Sequence, residues 1–366
     1  MRFCQVGAAE FDKVSAFIKD QYGAAHYGAD HAYMSWLYLD SPCRWFADRR
    51  RAGQAPVNAF VDQTGTLVAI HAYVPFDANT PWGGPRGVWD LEWINRSGVR
   101  GTGRELAKRL LAESDVYAGF GCNDLSANSF AKMGMTLVPE IGRALVVLQP
   151  DRLRAALAAL GECPDLPATG RGGGGHVLLD DTAAIDGALL DAYAEATPFG
   201  VARDPAWLAW RYDRHPYLRY AVVAVAGDPA KGVAILRLET VIPDGFVIAR
   251  MLEFFPRDPI CPALAACVVD WAVAQGAVFL DYFTSSADHA RRFQTSLDAA
   301  GVSHARNPRV PFMTQPLAYG TTNSINMVIG AGGLCPLAPA DVDFGNFHAG
   351  KGDANQDVVR RKSETC

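Results

Sequence analysis

The segment from residue 87 to residue 113 constrains the fold most strongly, because it predicts a strand, a glycine-rich turn and a helix in direct succession. Two sets of side chains alternate along the strand, as expected when its two faces differ. The first set is Val88, Asp90, Glu92 and Ile94, and the second is Trp89, Leu91, Trp93 and Asn95. The pattern therefore predicts that the carboxylates of Asp90 and Glu92 share one face.

The turn after this strand has the composition of an anion site. It runs from Ser97 to Gly103 with glycines at positions 98, 101 and 103, and apolar residues then recur at helical spacing from Leu106 to Leu111. Glycines leave backbone N–H groups unblocked, and the positive end of the helix dipole adds to them. We therefore expect an anion to bind where the strand becomes a helix.

Two motifs carry a resemblance to a known family. The run Val99-Arg100-Gly101-Thr102-Gly103 resembles the pyrophosphate loop of the GCN5-related N-acetyltransferase (GNAT) superfamily, although Gly98 stands where that loop has Gln or Arg. The segment from Asn123 through Phe130 to Gly134 is similar to the one after the fifth strand of that superfamily. The resemblance implies acyl-coenzyme A as co-substrate and no metal. It implies these cofactor contacts: Ile94, Val99, Arg100, Gly101, Thr102, Gly103 and Asn123.

Composition is consistent with an enzyme of this kind. The 366 residues suit two domains, and 49% hydrophobic residues without a long uncharged apolar run predict a protein that does not insert into a membrane. The net charge of −5 argues against a nucleic-acid partner. The start lacks a signal-peptide pattern, and the eight cysteines show neither paired nor metal-like spacing, which predicts a cytoplasmic protein.

A segment of the first half recurs in the second. Residues 29–42 can be laid on residues 203–216 with aromatic, polar and proline positions in register, which predicts a tandem repeat, although two unrelated aromatic helices would give a similar pattern. Leu252-Glu253-Phe254-Phe255 then matches Leu91-Glu92-Trp93-Ile94. The prolines of residues 256–262 replace the glycine turn, and proline has no N–H to donate. We therefore predict that only the first half binds the cofactor.

These patterns predict a mixed α/β protein of two tandem GNAT-like domains, each a twisted, mostly antiparallel sheet flanked by helices. Residues 1–165 form the predicted cofactor-binding domain, and residues 166–176, which are rich in glycine, form a linker. Residues 177–330 form a degenerate domain that shapes the acceptor site. The polar segment of residues 331–366 is either a disordered tail or an ordered extension, and the sequence leaves both open.

The resemblance implies direct attack of an amine on the thioester, which requires a base. The candidates are Glu92 and Asp90 in the first domain, each of which could instead form a salt bridge with an arginine, and Asp281 in the second domain. Phe130 stands where many relatives have a tyrosine that protonates the leaving sulfur, and phenylalanine has no proton to donate. Trp36, Trp207 and Trp210 are predicted to be core residues. The predicted acceptor-binding residues are His31, Tyr38, Arg211, Tyr212, His215, Tyr282 and His348.

The chain is most similar in organisation to two-domain nucleotide-sugar N-acyltransferases of surface-polysaccharide pathways. That resemblance implies transfer from acyl-coenzyme A to the amine of a nucleotide-linked amino sugar, by a monomer or a homodimer. Two alternatives stay open: a FemABX-like aminoacyl transferase that uses aminoacyl-tRNA, and a non-catalytic protein that binds coenzyme A or a sugar.

Overall fold

A computed structural model describes residues 1–158, 173, 175–240, 246–308, 325–355 and 357. Most of the predicted linker lies outside these ranges. The strands are β1 (Arg2–Gly7), β2 (Gln54–Val61), β3 (Leu67–Asn79), β4 (Arg86–Asn95), β5 (Val116–Phe120), β6 (Thr136–Val138), β7 (Gly142–Val147), β8 (His176–Leu179), β9 (Gly200–Val201), β10 (Ala221–Val225), β11 (Gly232–Thr240), β12 (Val247–Pro256), β13 (Phe279–Thr284), β14 (Ala305–Arg306) and β15 (Met327–Ala331).

Helices cover both sheets that these strands form. They are α1 (Phe11–Tyr22), α2 (His31–Met34), α3 (Ala47–Arg51), α4 (Thr102–Ala112), α5 (Asp124–Ala131), α6 (Pro150–Ala158), α7 (Gly187–Ala196), α8 (Pro205–Leu208), α9 (Pro262–Ala274) and α10 (Ala287–Ala299). Among the described helices, none is both long and apolar enough to span a bilayer.

The two sheets confirm the predicted mixed α/β class. The first has the order β1-β2-β3-β4-β5-β15-β6, with β9 paired to β3, and the second has the order β14-β7-β13-β12-β11-β10-β8. Strand β4 runs parallel to β5, and β12 runs parallel to β13, whereas the other neighbours within these two orders are antiparallel. Each of the two sheets thus contains one parallel pair near its centre, β4–β5 in the first and β12–β13 in the second.

Neither sheet is built from one continuous stretch of chain. Strand β7 precedes the glycine-rich segment but pairs with β13 in the second sheet, whereas β15 follows α10 and pairs with β5 in the first. The predicted bounds place β7 in the first domain (residues 1–165) and nearly all of β15 in the second (residues 177–330), whereas each strand pairs in the sheet of the other domain. The sheets exchange these strands because pairing depends on which edges meet in space, which local periodicity does not encode.

The two segments that were predicted to correspond have the same local structure. In each, a short helix (α2 or α8) continues into one turn of π-helix, Ser35–Leu39 or Ala209–Asp213. An aspartate begins each helix by accepting a backbone N–H three residues on, Asp30 from Tyr33 and Asp204 from Trp207. Their tryptophans are buried, as predicted, in a core that contains side chains of both halves.

Candidate functional site

A wedge opens between the parallel strands of the first sheet. Strands β4 and β5 pair from Gly87↔Val116 to Asp90↔Gly119 and no further, although β4 continues to Asn95. Beyond Asp90, β4 is therefore not paired with β5. An extended ligand can pair there with main-chain groups as an additional strand would.

A β-bulge at the mouth of this wedge separates the two predicted carboxylates. Tyr73 of β3 lies opposite Asp90 and Ala72 lies opposite Glu92, so Leu91 is an extra residue in β4. Neighbouring residues of β3 point to opposite faces, and Asp90 and Glu92 therefore do so too. The prediction that they share a face is wrong, because simple alternation cannot anticipate one inserted residue.

Asp90 points toward the side of the sheet that α4 and α5 cover. Its Oδ1 lies 2.7 Å from Nε2 of His71, which is 3.3 Å from the hydroxyl of Tyr117. Apolar side chains, among them Leu110 and Phe130, form the cluster on this face. His71 is fully buried. Asp90 thus belongs to a closed polar group under the helices.

Glu92 points toward the opposite face, where the two halves meet. Its carboxylate accepts a hydrogen bond from the hydroxyl of Tyr27, and that hydroxyl also bonds the side-chain amide of Asn355. Tyr33 and Tyr38 lie beside this group, since their hydroxyls have pKa values raised by burial and also by the charge of Glu92. Glu92 is 5% exposed, so it is a buried carboxylate, and the Tyr27 hydroxyl is one of the groups that stabilise it.

A small cavity adjoins this group. Its volume is about 40 Å³, and its lining includes Tyr27, Tyr33, Asp30 and Tyr217. The hydroxyl of Tyr217 donates to the carboxylate of Asp30 at 2.7 Å, which closes a contact between the second half and the first. The cavity accommodates a few water molecules.

The glycine turn has the geometry that the sequence predicts. Gly101 has φ +79° and caps α4, whose first turn receives no side-chain hydrogen bond at its cap. The first N–H groups of a helix have no partner within it, so those of α4 point outward beside the wedge. Gly103 is needed for packing, because a Cβ there would lie 1.4 Å from Nε1 of Trp93. Arg100 is exposed, and Thr102 is buried with its hydroxyl donating to Asn95 at 3.0 Å.

Asn123, the other predicted cofactor contact, caps a helix. Its Oδ1 accepts the backbone N–H of Ser126 at 2.9 Å at the start of α5. The side chain is exposed. Its carbonyl oxygen is therefore committed to the helix.

The corresponding wedge of the second sheet is filled by the protein itself. Strands β12 and β13 pair from Ala249↔Leu280 to Met251↔Tyr282, and β12 bulges at Leu252 as β4 does at Leu91. Residues 347–355, which we call the C-terminal strap, enter this wedge. Gly350 bridges to Thr284, and a Cβ on it would lie 3.3 Å from the Phe283 carbonyl oxygen and 3.4 Å from that of Leu252.

The second turn also lacks the donors of the first. Helix α9 begins with Pro262, and the backbone N–H of its cap residue, Cys261, donates to the hydroxyl of Ser296 at 3.0 Å. An anion therefore finds one amide occupied and the next replaced by proline. The prolines of residues 256–262 thus remove N–H donors from the turn, as the sequence predicts.

Buried ion pairs hold the C-terminal strap in place. Arg203 contacts both oxygens of Asp353 and, at 2.9 Å, the carboxylate of Glu253, the residue that corresponds to Glu92. Tyr212 donates to the same Glu253 oxygen at 2.7 Å. Although burial alone lowers it, the pKa of Arg203 is raised overall by these carboxylates. The described part of the extension from residue 331 is thus ordered and partly buried.

Asp281, the third predicted base, belongs to a chain of alternating charges. Its Oδ1 accepts from Arg143 at 2.6 Å and its Oδ2 from Arg250 at 2.8 Å. The chain continues through Glu239 and Arg237 to Asp357. Asp281 is buried and each of its oxygens accepts from a guanidinium group, so the carboxylate is part of a structural ion-pair network.

The structure does not bring the predicted acceptor residues together in one place. His31 is on the surface, 2.6 Å from Asp12, whereas Tyr282 and Tyr212 are buried in the second half and His348 lies in the strap. Tyr38 lies beside Glu92. His215 caps a turn, since its Nδ1 accepts from the amides of Tyr217 and Leu218, and burial lowers its pKa to about 3.

Arg211 is the predicted residue with the least complete set of partners. It is fully buried, with Nη1 donating to the carbonyl oxygen of Ala354 at 3.1 Å. Its Nε and Nη2 have no hydrogen-bond partner among the described residues. The guanidinium lies 5.1 Å from the ring centre of Trp36.

Sequence reasoning missed three members of the site: Tyr27, Tyr33 and Asn355. Tyr27 lies in a short turn before α2, and Asn355 is far along the chain in the strap. Neither carries a motif, and only the packing of the strap brings them together. Within the described ranges, no group of three or more His, Cys, Asp or Glu side chains is arranged to bind a metal ion.

Comparisons with solved structures identify the fold. A conserved protein of unknown function from Enterococcus faecalis V583, described as a probable N-acyltransferase, aligns over 91% of this chain and 73% of its own at 13% identity and TM-score 0.53. A GCN5-related N-acetyltransferase from Kribbella flavida aligns over 90% and 70% at 13% identity and TM-score 0.53. Another from Anabaena variabilis ATCC 29413 aligns over 90% and 72% at 10% identity and TM-score 0.54. No family model matches the sequence, and no curated protein does.

Proposed function

We propose that this chain, which has the fold of the GCN5-related N-acetyltransferases, transfers an acyl group from acyl-coenzyme A to an amine. The observation that carries the proposal is the difference between the two wedges. The first is open and lies beside a glycine turn with free N–H donors. The second is occupied by the strap, and its turn has proline at the helix start. Of the two wedges that the described residues form, the first therefore offers a place for a pyrophosphate and an extended thiol arm.

Glu92 is the base in this proposal. It lies directly after the bulge at the mouth of the open wedge, and its carboxylate accepts a hydrogen bond from the hydroxyl of Tyr27. Asp90 lies on the closed face and Asp281 is occupied by arginines, so neither competes for the role. Glu92 removes a proton from the amine, the nitrogen bonds to the acyl carbon, and the C–S bond breaks.

The sulfur leaves as a thiolate. Phe130 is buried against Trp93 and Tyr117 and offers no proton. A thiol with a pKa near the cysteine value of about 8.5 is a reasonable leaving group without an acid at this position. Glu92 then holds the proton that it took from the acceptor amine, and this proton can be passed to the thiolate.

The finer proposal for the acceptor is a nucleotide-linked amino sugar, as in the polysaccharide enzymes that the sequence resembles. A buried arginine and three tyrosines near Glu92 support a polar acceptor of this kind. The predicted cytoplasmic location and the oligomeric state stay predictions.

The test combines binding and turnover. Calorimetric titration with coenzyme A measures affinity and stoichiometry, and release of free thiol from acetyl-coenzyme A is then followed with a panel of amines that includes nucleotide-linked amino sugars. We expect one coenzyme A per chain and thiol release that depends on an amine. Binding of coenzyme A without turnover would favour the alternative of a non-catalytic protein that binds coenzyme A or a sugar. Binding of aminoacyl-tRNA in place of coenzyme A would favour the FemABX-like alternative.

A further inference from the structure

Five arginines are buried within the described ranges, and they differ in their partners. Four of them have carboxylate contacts: Arg143 with Asp281, Arg203 with Glu253 and Asp353, Arg237 with Glu239 and Asp357, and Arg250 with Glu239 and Asp281. Arg211 makes no ion pair with a described residue. It is also the most deeply buried of the five, at 0% exposure.

This state is unfavourable for a guanidinium. Arg211 makes one hydrogen bond to a neutral carbonyl, while its Nε and Nη2 have neither water access nor a described partner. A buried charge is strongly destabilising unless another charge and further hydrogen bonds compensate for it. The Trp36 and Trp210 rings, 5.1 and 5.9 Å from the guanidinium, compensate only partly.

A second unpartnered group lies beside this arginine. The hydroxyl of Tyr33 is buried and has no hydrogen-bond partner among the described residues. The Tyr33 ring is 5.4 Å from that of Trp36, the same ring over which Arg211 lies. Three donor groups without a described partner thus lie around the Trp36 indole: Nε and Nη2 of Arg211 and the hydroxyl of Tyr33.

Tyr33 also connects this place to the Glu92 site. It contributes to the lining of the small cavity beside Tyr27, whose hydroxyl donates to Glu92. Tyr33 therefore lies in the wall of the cavity next to the Tyr27–Glu92 pair and also against the Trp36 ring over which Arg211 lies.

We infer that Arg211, with the hydroxyl of Tyr33, binds an anionic group of the acceptor, a carboxylate or a phosphate, while the acceptor's amine lies at Glu92. This inference rests on the proposed function and adds to it: besides its amine, the acceptor carries an anionic group that contacts Arg211. The planar guanidinium offers Nε and Nη2 side by side, which is the arrangement that matches two oxygens of such a group.

The first experiment needs no coenzyme A. Melting temperatures are measured without ligand and with rising inorganic phosphate, and separately with acetate, for the wild type, Arg211→Met and Arg203→Met. Arg203 is the matched control, because it is also buried and lies 4.1 Å from the ring centre of Trp207, but it has two carboxylate partners.

If Arg211 awaits a ligand, Arg211→Met melts at or above the wild-type temperature without anion, because an uncompensated buried charge is removed. Arg203→Met melts at least about 5 °C lower, since it leaves two carboxylates buried. Phosphate or acetate raises the wild-type melting temperature and leaves that of Arg211→Met unchanged. An anion response equal in both proteins, or destabilisation of Arg211→Met comparable to that of Arg203→Met, overturns the inference.

The second experiment uses catalysis. The kcat/KM for ω-amino carboxylates, aminoalkyl phosphates and the corresponding alkylamines is compared in wild type and Arg211→Gln. We expect wild type to prefer the anionic amines of one chain length about 10- to 100-fold, and the variant to lose that preference. Equal rates with neutral amines in wild type contradict an anion site. Absence of all transfer refutes the proposed function but leaves the anion-dependent melting shift as an independent readout.

Discussion

Trp36 and Trp210 donate their indole N–H groups to each other's backbone carbonyl oxygens, at 3.0 and 2.9 Å. Their rings stack with centroids 5.1 Å apart. Each tryptophan lies in the π-helical turn of its own repeat, so the two halves meet through a reciprocal pair of equivalent residues. The contact is thus reciprocal, since each residue donates the same group to the same backbone atom of the other.

The tryptophan pair should couple the stabilities of the two halves. Trp36→Phe and Trp210→Phe each leave one buried carbonyl without its donor, which costs about 1–3 kcal/mol. Because the rings also stack, we expect the double variant to differ from the sum of the single effects by more than about 0.5 kcal/mol. Urea unfolding of the four proteins measures this coupling energy. Strict additivity would mean that the contact contributes no mutual stabilisation.

Glu92→Gln should separate chemistry from binding. The amide keeps the shape and the contact with Tyr27 but cannot accept a proton, so we expect kcat to fall about 10²- to 10⁴-fold with coenzyme A affinity nearly unchanged. Asp90→Asn is the matched control, because Asp90 lies one bulge away on the opposite face. A larger rate loss in Asp90→Asn than in Glu92→Gln would mean that Asp90, and not Glu92, is the base.

Gly101→Ala should weaken coenzyme A binding through backbone strain at the turn. Alanine at φ +79° costs about 1 kcal/mol and shifts the first amides of α4. Gly276→Ala is a suitable control, since Gly276 has φ +70° and, like Gly101, no atom close to its Cβ position. We expect similar losses of stability but weaker binding only for Gly101→Ala, as measured by calorimetry. Equal affinities would remove the turn from the cofactor site.

Asp353→Asn should destabilise the fold by loosening the C-terminal strap. It leaves Arg203 with half of its counter-charge in a fully buried place, and breaking such a pair costs about 3–5 kcal/mol. Asp343→Asn, at an exposed cap of the same extension, should cost no more than about 1 kcal/mol. Urea unfolding compares the two. The coenzyme A stoichiometry of Asp353→Asn shows in addition whether the second wedge accepts a ligand once the strap is weakened.

Stability should fall as pH decreases below about 6.5. Burial lowers the pKa of His215 and His289 to about 3, and it lowers that of His348 well below its usual value. In the unfolded chain these groups bind protons near pH 6.5, whereas the folded state does not, so acid favours unfolding. Each contributes up to about 1.4 kcal/mol per pH unit within this window. His289→Gln should therefore flatten the dependence measured by thermal unfolding between pH 7 and 5.

Local features of the site followed from the sequence. The glycine turn at residues 98–103, the helix α4 and the absence of donors after Pro256 depend on backbone geometry that neighbouring residues dictate. The segments around Trp36 and Trp210 were recognised as equivalent for the same reason, since each encodes its own cap and aromatic spacing. Periodicity, turn residues and proline act within a few positions, so a reading of the chain detects them.

Only the tertiary structure decided which residues share the site. The bulge at Leu91 placed Asp90 and Glu92 on opposite faces, and the strap brought Asn355 to Tyr27, more than 300 positions earlier in the chain. The same packing left Arg211 buried without an ion pair to any described residue. The partners of strand edges and buried charges come from distant parts of the chain. Which partners they find depends on the free energy of the whole folded structure rather than on any local sequence pattern.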